Sequence, residues 1–373
     1  RGATVHVIPS PIVESRLSNA TPHGVKIQSR RNRPSMDLTG HGSDTLHMKR
    51  IGLLVLLAGI VAPGAGAASP PIVTVDLGVH RFGYTRAPGA TVARVAADQV
   101  GWQLEGDNSG PETFLVGADR SIWLHDEVNH RLLVWSAGRP NAVARTVTLP
   151  YVNAEDVALG PSNTLYFDRG VPELKQFHLY RLSVATGKVL WDSRLAPAAG
   201  NGNTSLRVGA DHRLYALVPH MRWMPVATRT GAPLSLVAQQ RGITYQPVAG
   251  GLRLVPRVVS PHEVRVTLGS RTWRIVSKTA IDFTGYYTPD LVRGDPVIVL
   301  DVTAGTPGQN WKWEYEVLRL TSRGASVQFS LRREVFGDNL FADLRVGPDG
   351  ALYQLASSPK TGVAIYRYSL GAS

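Results

Sequence analysis

Four stretches of the chain share one pattern without gaps: Leu115-Val-Gly-Ala-Asp-Arg-Ser-Ile-Trp123, Ala158-Leu-Gly-Pro-Ser-Asn-Thr-Leu-Tyr166, Arg207-Val-Gly-Ala-Asp-His-Arg-Leu-Tyr215 and Arg345-Val-Gly-Pro-Asp-Gly-Ala-Leu-Tyr353. In each, a glycine (Gly117, Gly160, Gly209, Gly347) stands six residues before an aromatic residue (Trp123, Tyr166, Tyr215, Tyr353). The pattern describes a hairpin. An apolar strand ends at the glycine, and Asp or Ser supplies turn chemistry through side-chain-to-backbone bonding. An aliphatic–aromatic pair then opens a second strand on a pleated, half-buried surface. One such hairpin would constrain little; four at long, regular intervals constitute a repeat.

The intervals set the number of units. Gly117 to Gly160 is 43 residues, Gly160 to Gly209 is 49, and Gly209 to Gly347 is 138, or three intervals of 46. Two diverged units therefore belong in the gap. One contains Leu291-Val-Arg-Gly-Asp-Pro-Val-Ile-Val-Leu300, with a Gly-Asp turn between apolar runs, and the other includes Ile243–Val259. Third strands follow the clear units at Arg131–Trp135, His178–Leu182 and Ile365–Tyr368, and Ala185-Thr-Gly-Lys188 turns into a fourth at Val189-Leu-Trp191. Helical periodicity is weak throughout. Six units of about 45 residues, the length of a four-stranded blade, predict an all-β, six-bladed β-propeller of four-stranded blades.

Glu112–Trp135, with Asn129-His130 before Arg131-Leu132, resembles an NHL repeat, as do Ala154–Asp168 and Asp343–Leu355. The resemblance covers about half of residues 68–373 and implies a six-bladed propeller of NHL-repeat, TolB-like type. The last unit begins near Asp343 and has room for only three strands: about Leu344–Val346, Ala351–Leu355 and Val363–Tyr368. An open strand edge is an aggregation site. The last blade is therefore expected to be closed by an N-terminal strand, from within Ile72–Leu77 or Thr91–Ala96.

Met48–Ala67 reads as a secretory signal. Lys49 and Arg50 precede an apolar run, Ile51–Ala62, and Ala65-Gly66-Ala67 is a cleavage site. The run is too short for a membrane span, which needs ~20 apolar residues. The expected organisation is an upstream extension outside the native protein (1–47), a signal peptide (48–67) and the propeller (68–373). The product is extracellular or periplasmic, with no stable membrane span after cleavage. A cytoplasmic extension before a retained anchor is the alternative. The absence of Cys excludes disulfides, thiolate catalysis and Cys-ligated zinc. Net charge is +12, carried by Arg spread along the chain rather than by a basic patch with stacking aromatics, so no nucleic-acid partner is expected.

Three groups of residues bear on chemistry. His125-Asp126-Glu127 with His130 has metal-binding residue types, but the NHL pattern uses Asp126 and Asn129 to brace a loop. Glu112, Glu155 with Asp156, Asn203, Asp290 and Asp343 stand just before the innermost strands, where blades converge. Glu112, Glu155, Asp156, Asn203 and Asp343 form a candidate oxygen-ligand set for Ca²⁺. Glu155 also resembles the metal-ligating Glu of gluconolactonase-type propellers, whose Asn and Asp metal positions find no recognisable match in this sequence. Finally, alternation places Trp311, Trp313 and Tyr315 on one strand face and Lys312, Glu314 and Glu316 on the other. With Tyr286, the three aromatics make a candidate ligand platform; Arg222-Trp223 is a weaker instance.

No nucleophile elbow, H-E-x-x-H or P-loop is present, and Gly200–Ser205 carries only half of a dinucleotide loop. The expected function is a non-catalytic binding propeller for a small molecule, carbohydrate or protein, its site on the channel mouth or a loop face and shaped in part by a loop at Thr303–Asn310. The rival expectation is a Ca²⁺-dependent lactonase- or lyase-like enzyme.

Overall fold

The computed structural model describes residues 72–371, apart from 105–108, 112, 151–153, 172–175, 198–204, 219–221, 249–250, 284–289, 307–308 and 337–342. The expectations for residues 1–47 and 48–67 lie outside the described residues.

Two strands lead the chain, β1 (Ile72–Asp76) and β2 (Ala90–Val95). The first blade follows, with β3 (Thr113–Val116), β4 (Ile122–Asp126), β5 (Arg131–Trp135) and β6 (Val143–Thr148). The second holds β7 (Ala154–Gly160), β8 (Thr164–Val171), β9 (Gln176–Ser183) and β10 (Val189–Arg194). The third holds β11 (Leu206–Val208), β12 (Leu214–Val218) and β13 (Arg222–Ala227), then the short helix α1 (Leu236–Arg241). The fourth is β14 (Gln246–Pro247), β15 (Arg253–Ser260), β16 (Glu263–Leu268) and β17 (Arg271–Val276). The fifth is β18 (Ala280–Phe283), β19 (Asp290–Val292), β20 (Asp295–Thr306), β21 (Gln309–Thr321) and β22 (Gly324–Arg332). The sixth is β23 (Leu344–Val346), β24 (Leu352–Ser358) and β25 (Gly362–Tyr368), completed by β2. Six sheets make a six-bladed propeller.

The four-strand plan is modified in three places. Among the described residues the third blade has three strands, and its outer edge is met by single bridges, Trp223 to Thr244 and Ala227 to Pro233. The fourth gains β1 as a fifth, parallel strand beside β17. In the fifth, β18 and β19 both pair with β20. Within Thr303–Asn310, expected as a loop, residues 303–306 instead belong to β20 and 309–310 to β21, so the paired strands extend beyond the sheet body.

The repeat owes its composition to one hydrogen-bonded unit. A Cβ at Gly160 would lie 2.7 Å from the Tyr166 ring, and one at Gly209 would lie 2.8 Å from the Tyr215 ring. Glycine is required because the aromatic six residues on lies against its Cα. That aromatic turns its polar end back to the turn. Tyr215 donates to Asp211 at 2.7 Å and Tyr353 to Asp349 at 3.0 Å; Trp123 reaches Asp119 through Ser121. Apolar residues of adjacent blades interleave between them. Phe114, Trp135 and Ile365 fill one such layer between the sixth and first blades, and Leu165, Phe167 and Leu132 another between the first and second.

Closure is by β2, whose Arg94 and Val95 pair with Ala364 and Val363. The stretch between β1 and β2 is a strap over three blades. Leu77 N–H donates to Val276 O in the fourth. In the fifth, His80 Nε2 lies 2.9 Å from Glu314 Oε2 and Gly83 N–H donates to Glu314 Oε1 at 2.8 Å. Arg86 donates its backbone N–H to Ser330 O of the fifth, and its guanidinium lies 4.6 Å over Phe329 and 5.9 Å over Tyr368 of the sixth.

Candidate functional site

Of the residues expected around the ring axis, Asp156 and Asp290 are engaged by partners from other blades. Asp156 is fully buried. Its Oδ1 accepts from Thr113 Oγ1 (2.8 Å) and Arg345 Nη2 (2.9 Å), and its Oδ2 accepts from Leu206 N–H (2.8 Å). These partners come from the first, sixth and third blades. Arg207 of the third blade pairs with Asp290 of the fifth. Each ion pair skips a blade, which side chains can do only on the axis side of the innermost strands. The positive charge facing Asp156 is thus a guanidinium, and a buried carboxylate demands such compensation. Glu112 and Asn203 lie outside the described residues, as does the side chain of Glu155 on β7. Among the described residues, no three His, Asp or Glu side chains are grouped to hold a metal ion.

Asp126 braces its loop, as the repeat pattern implies. It accepts from Gly101 N–H, Asn129 Nδ2 and Arg131 Nε. His125 beside it is 2% exposed, and burial pushes its imidazole down to about 4 despite the nearby Asp156 and Asp126.

The second site is built on one face of the fifth blade. Cross-strand register sets Asp282 of β18 opposite Asp301 of β20, Asp301 opposite Tyr315 of β21, and Tyr315 opposite Leu331 of β22. Directly paired residues share a face, as do residues two apart. Trp311 and Trp313 therefore extend the row outward from Tyr315, and Arg333 extends it from Leu331. The contacts agree. Trp313 Nε1 donates to Asp301 Oδ1 at 2.9 Å, and the Arg333 guanidinium lies 3.8 Å over the Trp313 ring. Trp311 packs on Trp313 with centroids 5.3 Å apart and remains 47% exposed.

Tyr315 departs from the expected platform. It is fully buried in the layer between the fifth and sixth blades, and its hydroxyl donates to Asp343 Oδ2 at 2.8 Å. Tyr286 lies outside the described residues, and Trp223 is 2% exposed. Trp311 and Trp313 alone among the described aromatics of that set meet solvent.

Asp343 is also fully buried, and its Oδ1 has no hydrogen-bond partner among the described residues. Burial pushes its carboxyl up to about 6, against the lowering pull of Tyr315 and Arg333. Burial likewise pushes Asp301 up to about 7; Asp343 and Asp282 add to the rise, while Trp313 and Arg333 oppose it. Two carboxyls raised toward neutrality beside an aromatic surface mark a functional-site candidate. The sequence reading did not find Asp301, Asp282 or Arg333. The available signal was Asp301 itself, a lone carboxylate inside the apolar run Val297–Val302.

The opposite face of β21 is covered by the strap. Glu314 and Glu316 are buried there; His80 Nδ1 lies 3.5 Å from Glu316, which also accepts from Gln328 and Ser330.

No family model and no curated protein sequence matches the chain. Among solved structures, it is similar to a putative oxidoreductase (glucose dehydrogenase) from Thermus thermophilus, at 16% identity over 72% of this chain and 100% of that one, with a TM-score of 0.38. It is similar to the soluble aldose sugar dehydrogenase of Escherichia coli at 13% identity, over 70% and 97% of the two chains, with a TM-score of 0.36. A virginiamycin B lyase from Staphylococcus aureus gives 11% identity over 71% and 98%, with a TM-score of 0.34. Likeness at this level carries no function across, and the propeller assignment rests on this chain's own sheet topology.

Proposed function

We propose that the protein is an exported, NHL-like binding propeller that takes a carbohydrate on the Trp311–Trp313 face of its fifth blade. The observation that carries this reading is the fixed geometry of that pair. Trp311 stands exposed on the extended hairpin, packed at a tilt on Trp313, whose edge is held by Asp301 and whose face is covered by Arg333. A platform whose rotamers are set before the ligand arrives loses little entropy on binding. Flat apolar rings with polar groups at their edge suit a sugar's C–H face and its hydroxyls. Export is supported by the charged, apolar and A-x-A segments of Met48–Ala67. The calcium-dependent reading has less to stand on, because Asp156 already accepts from Thr113, Leu206 and Arg345.

Calorimetric titration with soluble oligosaccharides tests the reading. Trp311→Ala should weaken binding at least about ten-fold, or 1.4 kcal/mol, without lowering the melting temperature. Failure of every sugar to bind, or unchanged binding by the variant, would sink it. The N-terminus of the secreted product should be Ala68.

A further inference from the structure

The platform does not stand alone: the same face of the fifth blade carries Asp301 and Asp282, and Asp343 of the sixth blade closes over its buried end. Resting on the platform reading, we infer that the ligand carries a protonated amine, received by Asp301 and Asp343 with Asp282 at the rim, so that the site selects amino sugars bearing free amines.

Three features support this. First, among the described residues Arg333 is the guanidinium that acts on both Asp301 and Asp343, and Asp282 adds a third carboxyl opposite Asp301. Fully ionised, the state an incoming cation would favour, these described groups carry three negative charges against one positive, a net of minus two (three minus one). Second, Asp343 Oδ1 is buried without a partner among the described residues. A buried acceptor left unsatisfied is costly, and an acceptor beside like charges is best met by a donor that also brings positive charge. An ammonium offers three donors and that charge, whereas a sugar hydroxyl offers one donor and none. Third, the row is graded in depth. Asp282 is exposed, Asp301 is partly buried and Asp343 is fully buried, so the carboxyls become successively drier along the row. The carboxyls of Asp301 and Asp343, pushed up to about 7 and about 6, hold protons that an ammonium would displace.

The test uses the full secreted chain and two sugars of one backbone, the fully N-acetylated β-1,4-glucosamine hexamer and its fully deacetylated counterpart, titrated near pH 6 in low salt. The deacetylated hexamer should bind at least about ten-fold more tightly, and the preference should shrink as salt is raised. Asp301→Asn keeps an oxygen for Trp313 Nε1, and Asp343→Asn keeps one for the Tyr315 hydroxyl. Each variant should therefore lose most of the preference, read as the ratio of the two hexamers' affinities for the same variant. Trp311→Ala should weaken both sugars. Equal binding of the two hexamers, or a preference that survives in both Asn variants, overturns the amine inference and leaves the platform standing. No binding of either hexamer also overturns the amine inference, and the platform reading falls with it only if every other oligosaccharide fails to bind as well.

Discussion

Arg345 of the last blade reaches past the first blade to Asp156 of the second, with Nη2 2.9 Å from Oδ1, and so ties the end of the repeat array to its beginning at the ring axis. Asp156 is wholly buried. Arg345→Met should leave that carboxylate uncompensated and cost about 3–5 kcal/mol, read as a fall in the urea midpoint with an unchanged slope.

The repeat glycine is set by close approach. Gly209→Ala places a Cβ 2.8 Å from the Tyr215 ring. The ring must move, straining the 2.7 Å bond from its hydroxyl to Asp211. We expect a loss of about 1–3 kcal/mol, measured by chemical denaturation, with the far-ultraviolet spectrum unchanged.

Asp301 makes stability depend on pH with an unusual sign for a carboxylate. Its folded pKa, about 7, exceeds the ordinary 3.8, so the folded state binds more protons than the unfolded one between those values. That contribution is fullest below about pH 4, falls as pH rises toward 7 and is flat above. Asp301→Asn removes the titration. It should raise stability relative to the parent at pH 8 and change it little at pH 4, as read by urea unfolding at both values.

His125 acts in the opposite sense. Burial lowers its pKa from 6.5 to about 4, so the folded state binds fewer protons between those values. Its contribution is full above about pH 6.5 and is lost as pH falls toward 4. In a proton NMR titration, the His125 ring resonance should show no midpoint above pH 5.

The strap and the closing strand are separable by truncation. A chain beginning at Gly89 keeps β2 but loses His80 from between Glu314 and Glu316. It should still unfold cooperatively, at a lower temperature. A chain beginning at Ala97 lacks β2 and leaves β25 as an open edge. It should lose the cooperative transition and aggregate, seen by calorimetry and light scattering.

The ring was legible in the sequence because its signal is local. Gly209, Asp211 and Tyr215 lie within seven residues, and their hydrogen bonds close inside one hairpin, so the same spacing recurs wherever the hairpin does. Counting the repeats gave six blades, and the missing strand of the last one pointed to Ile72–Leu77 or Thr91–Ala96; the second overlaps β2, while the first holds β1, which pairs with β17 of the fourth blade instead. The sequence also placed Trp311, Trp313 and Tyr315 on one face, since alternation is a property of any strand. Depth along that strand was decided by tertiary structure. Packing of the sixth blade buries Tyr315 against Asp343, while the same strand carries Trp311 beyond the packed layer into solvent. The row from Asp282 through Asp301 to Arg333 likewise exists only after β18, β20, β21 and β22 have come into register. Its members lie about 20 to 30 residues apart and follow no period, so only the pairing of strands, not the order of residues, brings their charges together.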